Sequence, residues 1–270
     1  MASNTLTDDR RELLTTTLDA AGEDCWIVDP TVETISAVVD VASDADGLPQ
    51  LRLLATDDAL KTTFADFLVA SRTADLIAAD KLAVRTLGAP TANSLVLTEQ
   101  AVTAIVATEG SVAGLRTDDT AFVSTTREAI AARWDEADPF RLRTPAISQI
   151  RTTLGAEIGS AAREDFDTVL GSLETARSDD TLDEVMIALL VAARNEVLLY
   201  DISKWGEDVG IASKATFSRT KSRLEDAGVI TTEKVPIDVG RPRLRLQLGD
   251  QQLRDAAADD LAAAAADRLG

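Results

Sequence analysis

The sequence predicts an α/β N-terminal domain followed by a connecting helix and a C-terminal winged helix-turn-helix domain. Three observations predict it. Up to about residue 140, short apolar runs alternate with stretches of helical spacing, as packed layers of sheet and helix require. Between residues 181 and 249 the order is helix, helix, turn, helix and two strands, the order of a winged helix-turn-helix. Within that segment, Ser203 to Leu246 is where positive charge outweighs negative in an otherwise acidic chain.

The α/β domain is placed at residues 1–140, as an effector or sensor domain. After a polar start, Asp8 to Ala21 has helical spacing, with Leu13, Leu14 and Leu18 on one side. Cys25 to Val28 is an apolar run closed by Asp29-Pro30, as a buried strand ending in a turn would be. Thr34 to Val41 returns to helical spacing, and Leu51 to Ala55 reads as a second strand. A helical stretch follows from Asp58 to Ala79 and carries Phe64, Phe67 and Leu68. Lys81 to Leu87, Ser94 to Thr98 and Ala101 to Ala107 read as strands, the last two suited to a hairpin across Glu99-Gln100. Gly110 to Thr117 is a further strand or turn. Asp118-Asp119 can cap a helix from about Ala121 to Ala137 that ends before Pro139.

Residues 141–180 read as a connecting helical region. From Ser148 to Ala176, Ile150, Leu154, Ile158, Phe166, Val169, Leu170 and Leu173 recur every three or four residues, in one long helix or two short ones. Such a bridge is a candidate dimer interface. In residues 181–249, Leu182 to Asn195 is a first helix and Tyr200 to Val209 a second, with Ile202 and Trp205 facing inward. Gly210 permits a left-handed turn with Ile211 as its apolar plug, and Ser213 caps a third helix, Lys214 to Ala227, ended by Gly228. Val229-Ile230-Thr231 begins a strand, Asp238-Val239-Gly240 makes a hairpin tip, and Arg243 to Leu248 alternates as a strand does. Residues 250–270 are Ala-rich and read as a C-terminal helix.

Composition narrows the function. The 270 residues hold 46 Asp plus Glu against 27 Lys plus Arg, a net charge of -19. Such a field repels nucleic acid and anionic lipid unless cations are concentrated somewhere. Acids set beside small residues, with few lysines, suit concentrated salt, so a halophilic protein is expected. The absence of histidine removes Ser-His-Asp and Cys-His catalysis and histidine-ligated zinc. The single Cys25 excludes an intramolecular disulfide, and Met1-Ala2-Ser3 lacks the pattern of a signal peptide. The longest apolar stretch, Val185 to Ala193, is far short of the roughly twenty residues of a membrane helix. A cytoplasmic protein is expected. No G-x-G-x-x-G or Walker pattern occurs, so no catalytic residue, metal or cofactor is expected. Two alternatives stand beside DNA binding. One is a hydrolase using Asp29, Asp57 or Asp58, although paired acids are poor evidence in so acidic a chain. The other is a winged helix used for protein contact only.

Between Ser203 and Leu246 there are nine basic residues, Lys204, Lys214, Arg219, Lys221, Arg223, Lys234, Arg241, Arg243 and Arg245, against six acids. On the third helix Lys214, Thr216, Ser218, Arg219, Ser222 and Arg223 lie off the Phe217 and Leu224 side and are candidate DNA-binding residues. Arg219 suits a guanine, and Thr216 a phosphate or thymine methyl. Arg241 and Arg243 of the wing suit backbone or minor groove. The expected partner is double-stranded promoter DNA, and a homodimer is expected to read it, because one such helix covers only a few base pairs.

Gly210-Ile211, Ala215-Thr216-Phe217-Ser218-Arg219, Leu224-Glu225-Asp226-Ala227-Gly228-Val229-Ile230 and Gly240-Arg241-Pro242-Arg243 together resemble winged-helix regulators of archaea. The whole chain is similar to the TbsP family of haloarchaeal transcription regulators. The segments Ser94 to Thr98, Gly114 to Asp119 and Ala131 to Ala137 resemble the effector domain of TrmB-type sugar-responsive regulators. That domain is related to phospholipase D, whose motif needs histidines. The resemblance implies a sugar or sugar phosphate as effector. A phosphate would need cations, and Arg52, Arg72, Lys81, Arg85 and Arg116 are the candidate ligand-binding residues.

Overall fold

A computed structural model describes residues 4–45, 47–176, 182–236 and 242–269. The chain divides into two compact units, Met1–Ala146 and Ile147–Gly270.

The first unit runs β1 (Thr5–Thr7), α1 (Arg10–Asp19), β2 (Asp24–Val28), α2 (Val32–Asp44), β3 (Gln50–Thr56), α3 (Asp57–Thr63), α4 (Phe67–Ala78), β4 (Leu82–Leu87), β5 (Ser94–Leu97), β6 (Val102–Thr108), β7 (Ser111–Thr117), α5 (Thr120–Glu136) and β8 (Asp138–Pro139). Its strands form one sheet in the order β1-β7-β6-β5-β2-β3-β4-β8. β3 pairs in parallel with both β2 and β4, and the remaining pairs are antiparallel. Successive strand residues point to opposite faces, so Ile27 and Leu53 enter one core with α1 and α2, whereas Trp26 and Leu54 enter another with Val123, Ile130 and Trp134 of α5. A strand covered on both faces needs an unbroken apolar run, which is why Cys25 to Val28 has one.

Three features differ from the sequence expectation. The stretch from Asp58 to Ala79 is two helices, because Asp66 caps a new one: its Oδ1 accepts from the backbone N–H of Leu68 at 2.8 Å and of Val69 at 3.1 Å. The polar start holds β1, which pairs Thr5 with Gly114. Pro139, expected only to stop α5, sits in β8 at the sheet edge, where its missing N–H costs nothing.

The second unit runs α6 (Ile147–Glu157), α7 (Ser160–Ala176), α8 (Glu184–Arg194), α9 (Leu199–Val209), α10 (Lys214–Asp226), β9 (Ile230–Val235), β10 (Arg243–Leu248), α11 (Gln251–Asp255) and α12 (Ala258–Leu269). The stretch from Ser148 to Ala176 is thus two helices, parted at Gly159 with φ 144°. α7 packs on α8 and α12, and α6 on α9, so these helices share a unit with the winged-helix elements. The apolar run Val185 to Ala193 is α8, buried along its whole length. Trp205 on α9 is buried, and its Nε1–H donates to Thr153 Oγ1 on α6 at 3.0 Å. Gly210 ends α9 in the left-handed region with φ 94°. β9 and β10 pair antiparallel from Ile230↔Leu248 to Val235↔Arg243. The hairpin tip Asp238-Val239-Gly240 lies outside the described residues. Among the described residues, no helix is long and apolar enough to cross a membrane.

Candidate nucleic-acid interface

α10 is fixed by a cap and by two anchors. The Ser213 hydroxyl accepts from the Thr216 N–H at 3.2 Å, satisfying one of the unpaired donors of the first turn. Phe217 and Leu224, seven apart, are fully buried. Phe217 lies so close to α9 that a Cβ at Gly206 would fall 2.3 Å from its ring. The recognition-type pair of helices is therefore locked by a glycine on one side and an aromatic ring on the other.

Turned away from those anchors, Lys214, Ser218, Arg219, Ser222 and Arg223 are exposed. Thr216 is half-buried, and its hydroxyl lies 3.1 Å from Ser213 Oγ and accepts from Arg219 Nη2 at 3.4 Å. Ser222 donates to the Ser218 carbonyl at 3.2 Å. Among the described residues, neither Arg219 nor Arg223 forms an ion pair. Of the other described cations between Ser203 and Leu246, all but the exposed Lys234 do. Lys214 Nζ lies 2.9 Å from Glu207, Lys221 Nζ 2.6 Å from Glu225, Arg245 3.7 Å from Glu233, and Lys204 pairs with Asp208. The hydrogen bond between them lowers the Glu207 carboxyl and raises the Lys214 ammonium from their ordinary values. Burial pushes Glu225 up, but hydrogen bonds from Lys221 and Thr232 outweigh it and leave the carboxyl lowered. That network joins α10 to β9, so Lys221 holds the domain together, while the exposed Lys214 pair is weak enough to exchange for a phosphate.

Of the predicted DNA-binding residues, six share α10, and Arg241 lies outside the described residues. Arg243 on β10 stacks over the Tyr200 ring, 4.2 Å from its centroid, and pairs with Asp201 at 3.4 Å. Sequence reasoning missed Tyr200, Asp201 and Glu207. These partners lie on α9, and Asp201 is 42 residues from Arg243, a separation that no local spacing reports.

The five predicted ligand-binding cations do not gather in one place. Arg52 on β3 pairs with Asp24 at 3.2 Å and stacks over Trp26. Arg85 on β4 donates to the Trp134 carbonyl at 2.6 Å and the Ala137 carbonyl at 3.3 Å, closing the end of α5. Arg72 on α4 pairs with Asp40 on α2 at 3.1 Å. Lys81 is exposed just before β4, and Arg116 lies on β7, four strands from β3 in the sheet. Of the acids considered for catalysis, Asp57 pairs with Lys61 at 2.5 Å within α3, and Asp29 accepts from the Thr91 N–H at 2.5 Å. Among the described residues, no group of three or more Cys, Asp or Glu side chains could hold a metal ion.

Comparison with known proteins gives the family. No curated protein matches the chain. Among solved structures it is similar to TrmBL2, described as an archaeal chromatin protein that shows a novel mode of DNA binding, at 12% identity and a TM-score of 0.38 over 52% of this chain and 55% of that one. The chain thus spans about half the length of TrmBL2. It is also similar to Nuc of Salmonella typhimurium, a phospholipase D family member, at 11% identity and a TM-score of 0.37 over 52% of this chain and 99% of that one. Superpositions that loose carry no functional weight. The family models match nearly end to end: residues 2–145 match the N-terminal part of the transcriptional regulator TbsP-like family, and residues 146–266 match its C-terminal HTH domain. The chain belongs to the TbsP-like transcriptional regulators.

Proposed function

We propose that the protein is a cytoplasmic, sequence-specific regulator that binds promoter DNA by laying α10 in the major groove. The observation that carries this reading is the exposed row Ser218, Arg219, Ser222 and Arg223, with two arginines that have no acid partner among the described residues, in a chain of net charge -19. An unpaired guanidinium suits the two acceptors of guanine, and the half-exposed ion pairs of Lys214 and Arg243 suit phosphates. Two copies would supply two half-sites about one helical turn apart. The buried side of α7, with Phe166, Val169 and Leu170, is already filled within its own unit, so the homodimer does not rest on that side.

The resemblance to sugar-responsive regulators supports an effector in the first unit, a sugar or sugar phosphate. To regulate, it must bind the DNA-competent and incompetent states with different affinity. Footprinting of the full chain on genomic DNA tests the first part, with protected palindromic half-sites as the expected result. The second part is tested by repeating the titration with sugars and glycolytic sugar phosphates, where a shifted DNA affinity is expected. Protection that is independent of sequence overturns the first part, and a DNA affinity that no metabolite moves overturns the second.

A further inference from the structure

We infer that the groove between the loop 88–93 and α5 binds a small organic anion with an apolar body. The inference rests on the reading above only in that a metabolite acts through the first unit; it gives that metabolite a location and a chemistry other than a sugar's. The groove has a volume of about 350 Å³, at the lower end of the range for small-molecule sites. Leu95, Phe122, Ala129 and Ile130 form its apolar wall, while Asn93, Thr125 and Arg133 offer polar groups.

Its place in the sheet is that of a ligand crevice. β2 has a parallel neighbour, β3, on one side and an antiparallel neighbour, β5, on the other. The loop 88–93 is held by Asp29 at the carboxyl end of β2, the end of the strands at which α/β sheets carry their ligands. Leu95 of the groove wall pairs with Val28, the last residue of β2. The next residue, Asp29, adopts φ 48°, a conformation that favours glycine, and its carboxylate accepts from both the N–H and the hydroxyl of Thr91. That contact holds the loop 88–93 in place, and backbone strain kept by such contacts gathers at binding sites.

The side chains set the ligand class. Phe122 is 53% exposed on α5, an aromatic face with nothing stacked on it among the described residues. Arg133, about three helical turns along the same helix, has no acid partner among the described residues, whereas Arg11, Arg52, Arg72 and Arg127 of this unit are each paired with an Asp. The Asn93 amide and the Thr125 hydroxyl are likewise without side-chain partners among the described residues. A cation at one end and an aromatic wall at the other fit a carboxylate bearing an apolar body better than a polyhydroxylated one.

The test uses the full chain at fixed salt, with ligand-detected NMR titrations of phenylpropanoate, its neutral amide and gluconate. Saturable binding of phenylpropanoate is expected, about tenfold tighter than that of either comparator, because the guanidinium needs the charge and the wall needs the apolar body. Arg133→Gln and Phe122→Ser alter exposed positions, and unfolding midpoints are to be compared with wild type to check that both variants fold. Each should weaken phenylpropanoate by about tenfold. No saturable binding, equal affinity in both variants, or gluconate binding as tightly as phenylpropanoate overturns the site. Parallel DNA titrations separate the two proposals. If phenylpropanoate occupies the groove without moving DNA affinity, the site stands and its effector role falls. If a sugar phosphate moves DNA affinity equally in wild type and Arg133→Gln while phenylpropanoate does not bind, the effector reading stands and the groove is overturned.

Discussion

Two sets of arginines, one in each unit, are put to opposite uses. In the sheet unit Arg52, Arg85 and Arg127 turn inward: Asp24 receives both Arg52 and Arg127, and Arg85 satisfies carbonyls at the end of α5. In the helical unit Arg219 and Arg223 stand on an exposed helix face with no acid partner among the described residues. The lesson is about where cations can act. A guanidinium that already serves a buried carboxylate or a helix end contributes to stability, and removing it leaves its partner unsatisfied. One without such a partner contributes little to the fold and is available to a ligand.

The comparison can be broken most severely at the α9–α10 contact. Phe217→Ala should cost the helical unit about 3–5 kcal/mol, measured by chemical denaturation, because it empties a fully buried ring site. Gly206→Ala should cost about 1–3 kcal/mol, since the new Cβ would meet the Phe217 ring and the two helices would have to part. An unfolding curve in which Gly206→Ala is neutral would show that the two helices are less tightly apposed than their geometry implies.

The sheet unit has its own probe. Burial, followed by the nearby Asp24, pushes the Cys25 thiol from 9.0 up to about 12, with Arg127 opposing. Folding therefore favours the protonated thiol. This contribution is fully present below pH 9 and is lost as pH rises from about 9 through about 12, because only the unfolded chain gives up its proton in that window. Thiol-reagent labelling near pH 8 should be slow in the native protein and track unfolding. Rapid labelling of folded protein would contradict the burial. The smallest effect sharpens the contrast from the other side. Glu207→Gln should release Lys214 and raise DNA affinity about two- to fivefold at low salt, fading as salt rises. Unchanged affinity would mean that Lys214 takes no part in binding.

Local signals made most of the helical unit legible in the sequence. Ser213, the Phe217 and Leu224 pair, and Gly210 and Gly228 mark caps, core side and stops within a few residues of one another. The apolar runs of β2 and β3 were legible because both faces of the central strands are covered. What escaped depends on distance or on brevity. β1 and β8 have three and two residues, too few for an alternation to show. The break before α4 turns on one carboxylate competing with an otherwise continuous helical period. The partners of Arg52, Arg72, Arg85 and Arg243 lie on other elements, so the sequence showed these cations without showing what holds them.

The most direct test of the account is the affinity of Arg219→Ala for a footprinted site and for a scrambled duplex, at one salt concentration. With the fold intact, a loss of about 1–3 kcal/mol on the specific site and a much smaller loss on the scrambled one is expected, because an unpaired arginine on α10 would be reading a base. Equal losses on both duplexes would make it a phosphate contact. Unchanged affinity on both would show that α10 is not the surface that meets DNA.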